Sequence, residues 1–357
     1  MNPTSYTNIR PRLVQMAQLV TAKGAKWHLG SDHILLRAIL ANDTGTITAS
    51  TGGMNVLRYI NTTYSNNVQC DPHSHQTTYN YSDVAKFHDS LGVPPGKVIS
   101  GFTYNGLMNG QDWEDYQSAK TGSFFPSYSW APEILWGGAT PGHTADPEYY
   151  GVWKPDSKTN FLTHNPSNHL INYGHGCRIL VLDTSQITPI MNTLRKVVNA
   201  IETGEAPAGG FYCTSLIIRE SSLGNPGFIT TKLSNLIDSI NVLVTANKME
   251  WRTINQVVDT WKTGYGAQPF LMGCDLTVLT GVEENKLTKK LIEAYPNPVN
   301  EQLNFAEGLE DAELYNVYGQ KILTLEKNAT TLNTSNYTEG IYFIRSKETY
   351  LKFIVKH

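Results

Sequence analysis

The sequence predicts an α/β protein, an irregular (β/α) barrel followed by a small β-sandwich. Three observations predict it. Strand-like apolar runs alternate with amphipathic helix-like runs over residues 1–280, roughly six or seven times, which suits a barrel somewhat better than an open sheet. A long stretch rich in aromatics, Gly and Pro, Asn105 to Leu170, interrupts that rhythm. After a charged linker at residues 281–293, short alternating segments separated by turn residues take over.

In order, Arg10 to Lys23 has Leu13, Ala17 and Val20 at helical spacing, with Pro11 suited to a first turn and Gly24 to a stop. Lys26 to Gly30 reads as a short strand and Asp32 to Ala41 as a helix. Met54 to Thr62 reads as a third helix and leads into a strand at Val68. Tyr81 to Leu91 is amphipathic, and Val98 to Thr103 is a strand. Alternation resumes after the aromatic stretch. Arg178 to Asp183 reads as a buried strand, Ile187 to Ile201 as a helix, and Phe211 to Glu220 as a strand. Phe228 to Asn247 reads as a long helix, Met249 to Thr253 as a strand, and Asn255 to Thr263 as a helix. Residues 294–357 hold strands at Gln302–Ala306, Ala312–Asn316, Lys321–Leu325, Gly340–Ser346 and Tyr350–Lys356.

The chemistry concentrates in VQCDPHSHQTTYNYSDV, Val68 to Val84. If Gln69 to His75 is extended, Asp71, His73 and His75 share a face, because side chains alternate along a strand. One carboxylate and two imidazoles are ligand types for Zn²⁺ or a similar divalent cation. The same residues at a strand-to-loop junction also cap helices or bond loop backbone, and that reading stays open. Asp183 and the pair Arg219/Glu220 fall at other strand ends, where barrel chemistry sits; Glu220 and Asp183 suit a second carboxylate near the cation or a general acid or base, and equally a helix cap or an ion pair with Arg219. Trp136, His143 and Trp153 lie in the aromatic stretch, whose rings suit either sugar faces or a covered core.

With 357 residues, 40% hydrophobic and 17% charged, the chain is globular and long enough for one large domain and one small one. A formal net charge of -3 provides no basic footprint for nucleic acid, and no apolar run reaches membrane-spanning length. Cys70, Cys177, Cys213 and Cys274 form no CxxC pair, and spacing does not reveal which are oxidised. GGATPG lacks the Lys-Ser/Thr of a phosphate loop, and no serine nucleophile elbow is present. The residues after Met1 show neither the basic nor the apolar region of a signal peptide.

The motifs AYPNPVNEQLNF, AELYNVYGQKIL and GIYFIR, with a lysine near the end, resemble the type A sorting domain of the type IX secretion system over Tyr295 to His357. The resemblance implies export across a Gram-negative outer membrane, with the type IX machinery as partner and the cell surface or medium as destination. Residues 1–280 resemble the polysaccharide deacetylase (NodB-like) branch of the glycoside hydrolase/deacetylase barrels. The matching pieces are DPHSH, FYCTSLIIRE followed by a long helix, and MEWRTINQVVDTWKTG. That resemblance implies an Asp and two His on a cation, with a polysaccharide as substrate. It also implies a first strand ending in acidic residues, and the chain opens directly on a helix instead. The expectation is therefore a gene that begins upstream of Met1, adding a signal peptide and that strand. Two departures stand out: the histidines are separated by one residue, and the late strand ends in Arg219 and Glu220 where the family carries a catalytic His. The expected function is an exported, metal-dependent, deacetylase-like hydrolase, or else a catalytically inactive carbohydrate-binding barrel at the cell surface.

Overall fold

The structure, a computed structural model, describes residues 1–74, 78–102, 113–137, 148–177, 186–206, 209–276, 278–280, 292–317, 320–346 and 349–357. The chain divides into two compact units, Met1–Gly281 and Val282–His357.

In the first unit, polar residues set the helix starts. Helix α1 (Pro3–Ala22) is capped by Asn2, whose side chain accepts from the Ser5 N–H, and it buries Tyr6, Ile9, Leu13, Met16, Ala17 and Val20 on one face. It begins a full two turns before the expected start, because Pro3 occupies its first turn and Pro11 lies inside it. Asp32 caps α2 (His33–Asn42), and Asn55 caps α3 (Val56–Thr63). Asn80 and Asp83 form a capping box on α4 (Tyr81–Ser90). Helix α5 (Ile187–Thr203) ends at Gly204, whose φ of 77° suits glycine. After the short α6 (Glu220–Leu223), the expected long helix is split. A π-helical turn at Phe228–Leu233 precedes α7 (Ser234–Thr245). Thr253 and Gln256 box the start of α8 (Ile254–Gly264).

Five short strands follow one another in parallel: β1 (Trp27–Ser31), β2 (Val68–Pro72), β3 (Val98–Phe102), β4 (Ile134–Gly137) and β5 (Ile171–Tyr173). β1 pairs with β2, and β3, β4 and β5 form a second ladder. The two ladders meet at the C-terminal end of β2, through a parallel bridge between His73 and Ser100 and the Ser74 N–H donating to the Ser100 carbonyl. Val98, Ile134 and Ile171 pack against Ile254, Val257 and Trp261 of α8, while Ile99 and Leu135 pack with Tyr81 and Trp153 on the opposite face. Burial on both faces explains why these strands are mostly apolar, with Ser100 and Asn172 as buried polar exceptions.

The closed barrel expected from the alternation is corrected to small mixed sheets and helices. The position beside β5 where a sixth parallel strand would pair is taken by Val152–Trp153, which runs antiparallel to it. Among the described residues, Phe211 to Glu220 is not a strand: it has a single bridge residue, Ile217, and makes scattered bonds instead. The Gly151 N–H donates to the Cys213 carbonyl, and the Ser215 N–H to that of His175. Met249 to Thr253 is not a strand either. The expected strand at residues 178–183 lies outside the described residues.

In the second unit, two antiparallel sheets share one core. One contains Ala294–Tyr295, Gln302–Leu309 and Ala329–Asn333. The other contains Lys321–Thr324, Ala312–Asn316, Gly340–Ser346 and Thr349–Val355. Alternate residues such as Leu303 and Phe305, or Tyr342 and Ile344, point into that core. The strand at Ala329–Asn333 was not foreseen, since its TTLN pattern carries a single buried apolar residue, Leu332.

Candidate functional site

The C-terminal ends of the parallel strands open onto a cavity of about 1190 Å³ within the first unit. Gly30 in β1, Asp32 just after it, His73 after β2, Ser100 in β3 and Trp136 in β4 line it, together with Ser215, Arg219 and Glu220. Placement at strand C-termini follows from the parallel arrangement, which leaves the loops and helix starts of several units at one end.

Asp71 is buried and tied to its neighbours. The Gln69 side-chain amide donates to its Oδ2 at 2.6 Å, and His28 Nε2 lies 3.2 Å from the same oxygen. A Cβ placed on Gly96 would stand 2.6 Å from Oδ1, so that glycine lets the backbone close over the carboxylate. His88 of α4 is fully buried nearby. Burial pushes its pKa down to about 4, with the charge and backbone of Asp71 pulling the other way.

His73 lines the cavity, and its Nδ1 lies 2.8 Å from Ser100 Oγ. Trp136 lines it too: its indole N–H donates to Ser215 Oγ at 3.1 Å, and its ring is 5.8 Å from that of His28. Glu220 lines the same cavity while the residue as a whole stays exposed. Burial raises its carboxyl above the ordinary carboxylate range, and the charge of Asp32 adds to the shift. Burial pushes the Cys213 thiol, also on the wall, up to about 12, which leaves no thiolate there at neutral pH.

The sequence-derived residues therefore separate. His73, Arg219, Glu220 and Trp136 face one cavity. Trp153 is a core residue, fully buried, with its indole N–H donating to the Phe161 carbonyl at 2.7 Å. His75, His143 and Asp183 lie outside the described residues. The expected cation site is described only at Asp71 and His73, because its third ligand, His75, lies outside the described residues. The Gln69 amide donates to the Asp71 carboxylate, His73 turns Nδ1 to a hydroxyl, and no three His, Cys, Asp or Glu groups converge among the described residues. Sequence reasoning missed His28, Gln69, Asp32 and Ser100. Their signal lay in the register, which sets His28 beside Gln69 and Gly30 beside Asp71.

The two antiparallel sheets of the C-terminal unit define a small all-β module distinct in composition from the α/β unit. Residues 293–356 match the family described as the secretion system C-terminal sorting domain. The chain thus carries a type IX sorting domain and is secreted and attached to the cell surface through that system. No curated protein and no solved structure matches the chain.

Proposed function

We propose that the first unit is an exported carbohydrate-active hydrolase of deacetylase type, acting on an acetylated extracellular polysaccharide. One observation carries this reading: His73, Arg219, Glu220 and Trp136 share a single cavity at the strand C-termini. The resemblance of DPHSH and of the late segments to the polysaccharide deacetylases supports the substrate class. In this reading, His73 takes a proton from water, and the resulting hydroxide adds to the acetyl carbonyl. The Arg219 guanidinium stabilises the oxyanion. Protonated Glu220, its carboxyl held above the ordinary carboxylate range, hands its proton to the departing sugar nitrogen or oxygen, leaving acetate and the free sugar group. Trp136 offers a ring face to the sugar.

The second reading is a catalytically silent carbohydrate-binding protein. It is favoured by the Asp71 carboxylate being held by Gln69 and His28. Incubation with acetylated chitin and xylan oligomers, with and without a chelator, separates the two. Acetate release that is lost in His73→Ala and Glu220→Gln supports the hydrolase. Release that disappears with the chelator returns a cation to the site. Calorimetric binding without release selects the silent binder.

A further inference from the structure

We propose that Ser100 is a positioning residue that holds His73 in its Nδ1–H tautomer, making Nε2 the ring nitrogen that carries the lone pair. The inference rests on the role given to His73 above.

Among the described residues, Ser100 Oγ makes two polar side-chain contacts. His73 Nδ1 lies at 2.8 Å and the Pro72 carbonyl oxygen at 3.4 Å. A carbonyl accepts only, so the Ser100 hydroxyl is the donor in the second contact. One arrangement satisfies both contacts: Nδ1–H donates to Ser100 Oγ, and the Ser100 hydroxyl donates to Pro72. The reverse arrangement spends the single hydroxyl proton on the ring and sets Oγ lone pairs against the carbonyl. Ser100 is fully buried, which makes the satisfied arrangement the favoured one. The tautomer of a histidine is set by the bond its other nitrogen makes.

The backbone supports this alignment. Ser100 pairs with Trp136 across β3 and β4, the register then slips before Phe102, and the intervening Gly101 has φ +83°. Such an irregularity at a strand end re-aims the neighbouring side chains. Across the site, a Cβ on Gly30 would come within 2.6 Å of Ser100 Oγ and 3.5 Å of the His73 Cβ. The missing side chain at Gly30 leaves room for the hydroxyl to sit between ring and carbonyl.

The test is nitrogen NMR on the full-length ¹⁵N-labelled protein above the titration range of its histidines, with His73→Gln identifying the His73 signals. The expected result is a pyrrole-type shift at Nδ1 and a pyridine-type shift at Nε2. Ser100→Ala should lose that pattern and Ser100→Thr keep it, while Gly30→Ala, which leaves both partners in place, should weaken it. A wild-type ring protonated at Nε2 overturns the proposal, and so does an unchanged pattern in Ser100→Ala. The wild-type spectrum alone decides if a variant fails to fold. Acetate release separates the two readings. With turnover, Ser100→Ala should lower kcat about 10–100-fold with little change in KM, and Ser100→Thr should restore it. The expected tautomer without any turnover sinks the hydrolase reading and leaves this one standing.

Discussion

His28 Nε2 lies 3.2 Å from Asp71 Oδ2, linking β1 and β2 across the sheet from two register positions before Gly30, the glycine that faces Asp71. With Gln69 bonded to the same carboxylate oxygen, removal of the buried Asp71 takes away the polar partner of two half-buried side chains. Asp71→Ala should cost about 3 kcal/mol. Urea denaturation checks it, as a lower midpoint at unchanged slope. A double variant with His28→Ala should cost less than the sum of the two single changes, since the residues share one network.

His88 predicts a pH dependence. Its native ring is kept neutral down to about 4, whereas an unfolded histidine takes a proton below about 6.5. Between those values the unfolded chain binds more protons, so stability rises with pH there. This contribution is complete above about 6.5 and is lost as pH falls toward 4, by about 1.4 kcal/mol per unit. Thermal melts from pH 7 to pH 5 should show a drop that His88→Gln reduces. An equal drop in both proteins would assign it elsewhere.

Cys177 and Cys274 form a disulfide spanning a sequence separation of 97 residues. Denatured without reductant, the protein should show two reactive thiols, those of Cys70 and Cys213. Cys177→Ser with Cys274→Ser should lower stability by up to about 4–5 kcal/mol, the loop-closure value for that length. Four reactive thiols in the denatured, unreduced protein would remove the bond.

Asp83 is a fully buried carboxylate with four backbone donors: the N–H groups of Asn80, Ser123, Phe124 and Phe125. Gly122 is required beside it, where a Cβ would approach Oδ1 to 2.6 Å. Asp83→Asn turns an amide donor toward those donors. It should cost about 2–3 kcal/mol and open residues 122–130 to limited proteolysis. Cleavage unchanged from wild type would show that the loop is held by its aromatic packing.

Deleting residues 282–357 should leave the thermal transition of the first unit in place, because that unit has its own core. Delivery to the cell surface should be lost, because the deletion removes the sorting domain. Whole-cell protease accessibility, beside a melt of the purified truncation, checks both parts. A truncation that melts early would give the C-terminal unit a structural role.

The sequence made local structure legible where one signal dominated. The amphipathic run from Tyr81 marked α4, and the alternation of Ala312–Asn316 and Gly340–Ser346 placed those strands to the residue. Strand pairing was not legible. FYCTSLIIRE has the composition of a buried strand, yet Val152–Trp153, two residues in an aromatic loop, occupies the edge of β5. The site was half legible for the same reason. His73, Arg219 and Glu220 announced themselves as polar residues at run ends. His28 and Ser100 matter only through neighbours that pairing supplies, His28 through Asp71 and Ser100 through His73. Trp153 looked like a sugar platform by composition, and its burial against Phe161 depends on a tertiary contact.

The bond between Cys177 and Cys274 also bears on survival outside the cell. Helices α5 to α8 all lie between the two cysteines, so any single cut among them leaves both fragments on one covalent molecule. A scission there becomes a nick, and the severed ends stay close enough for the core to hold its shape. Foreign proteases at the surface would have to cut the loop twice to excise a piece of it. The nicked form should run as one band on a gel without reductant and as two with it.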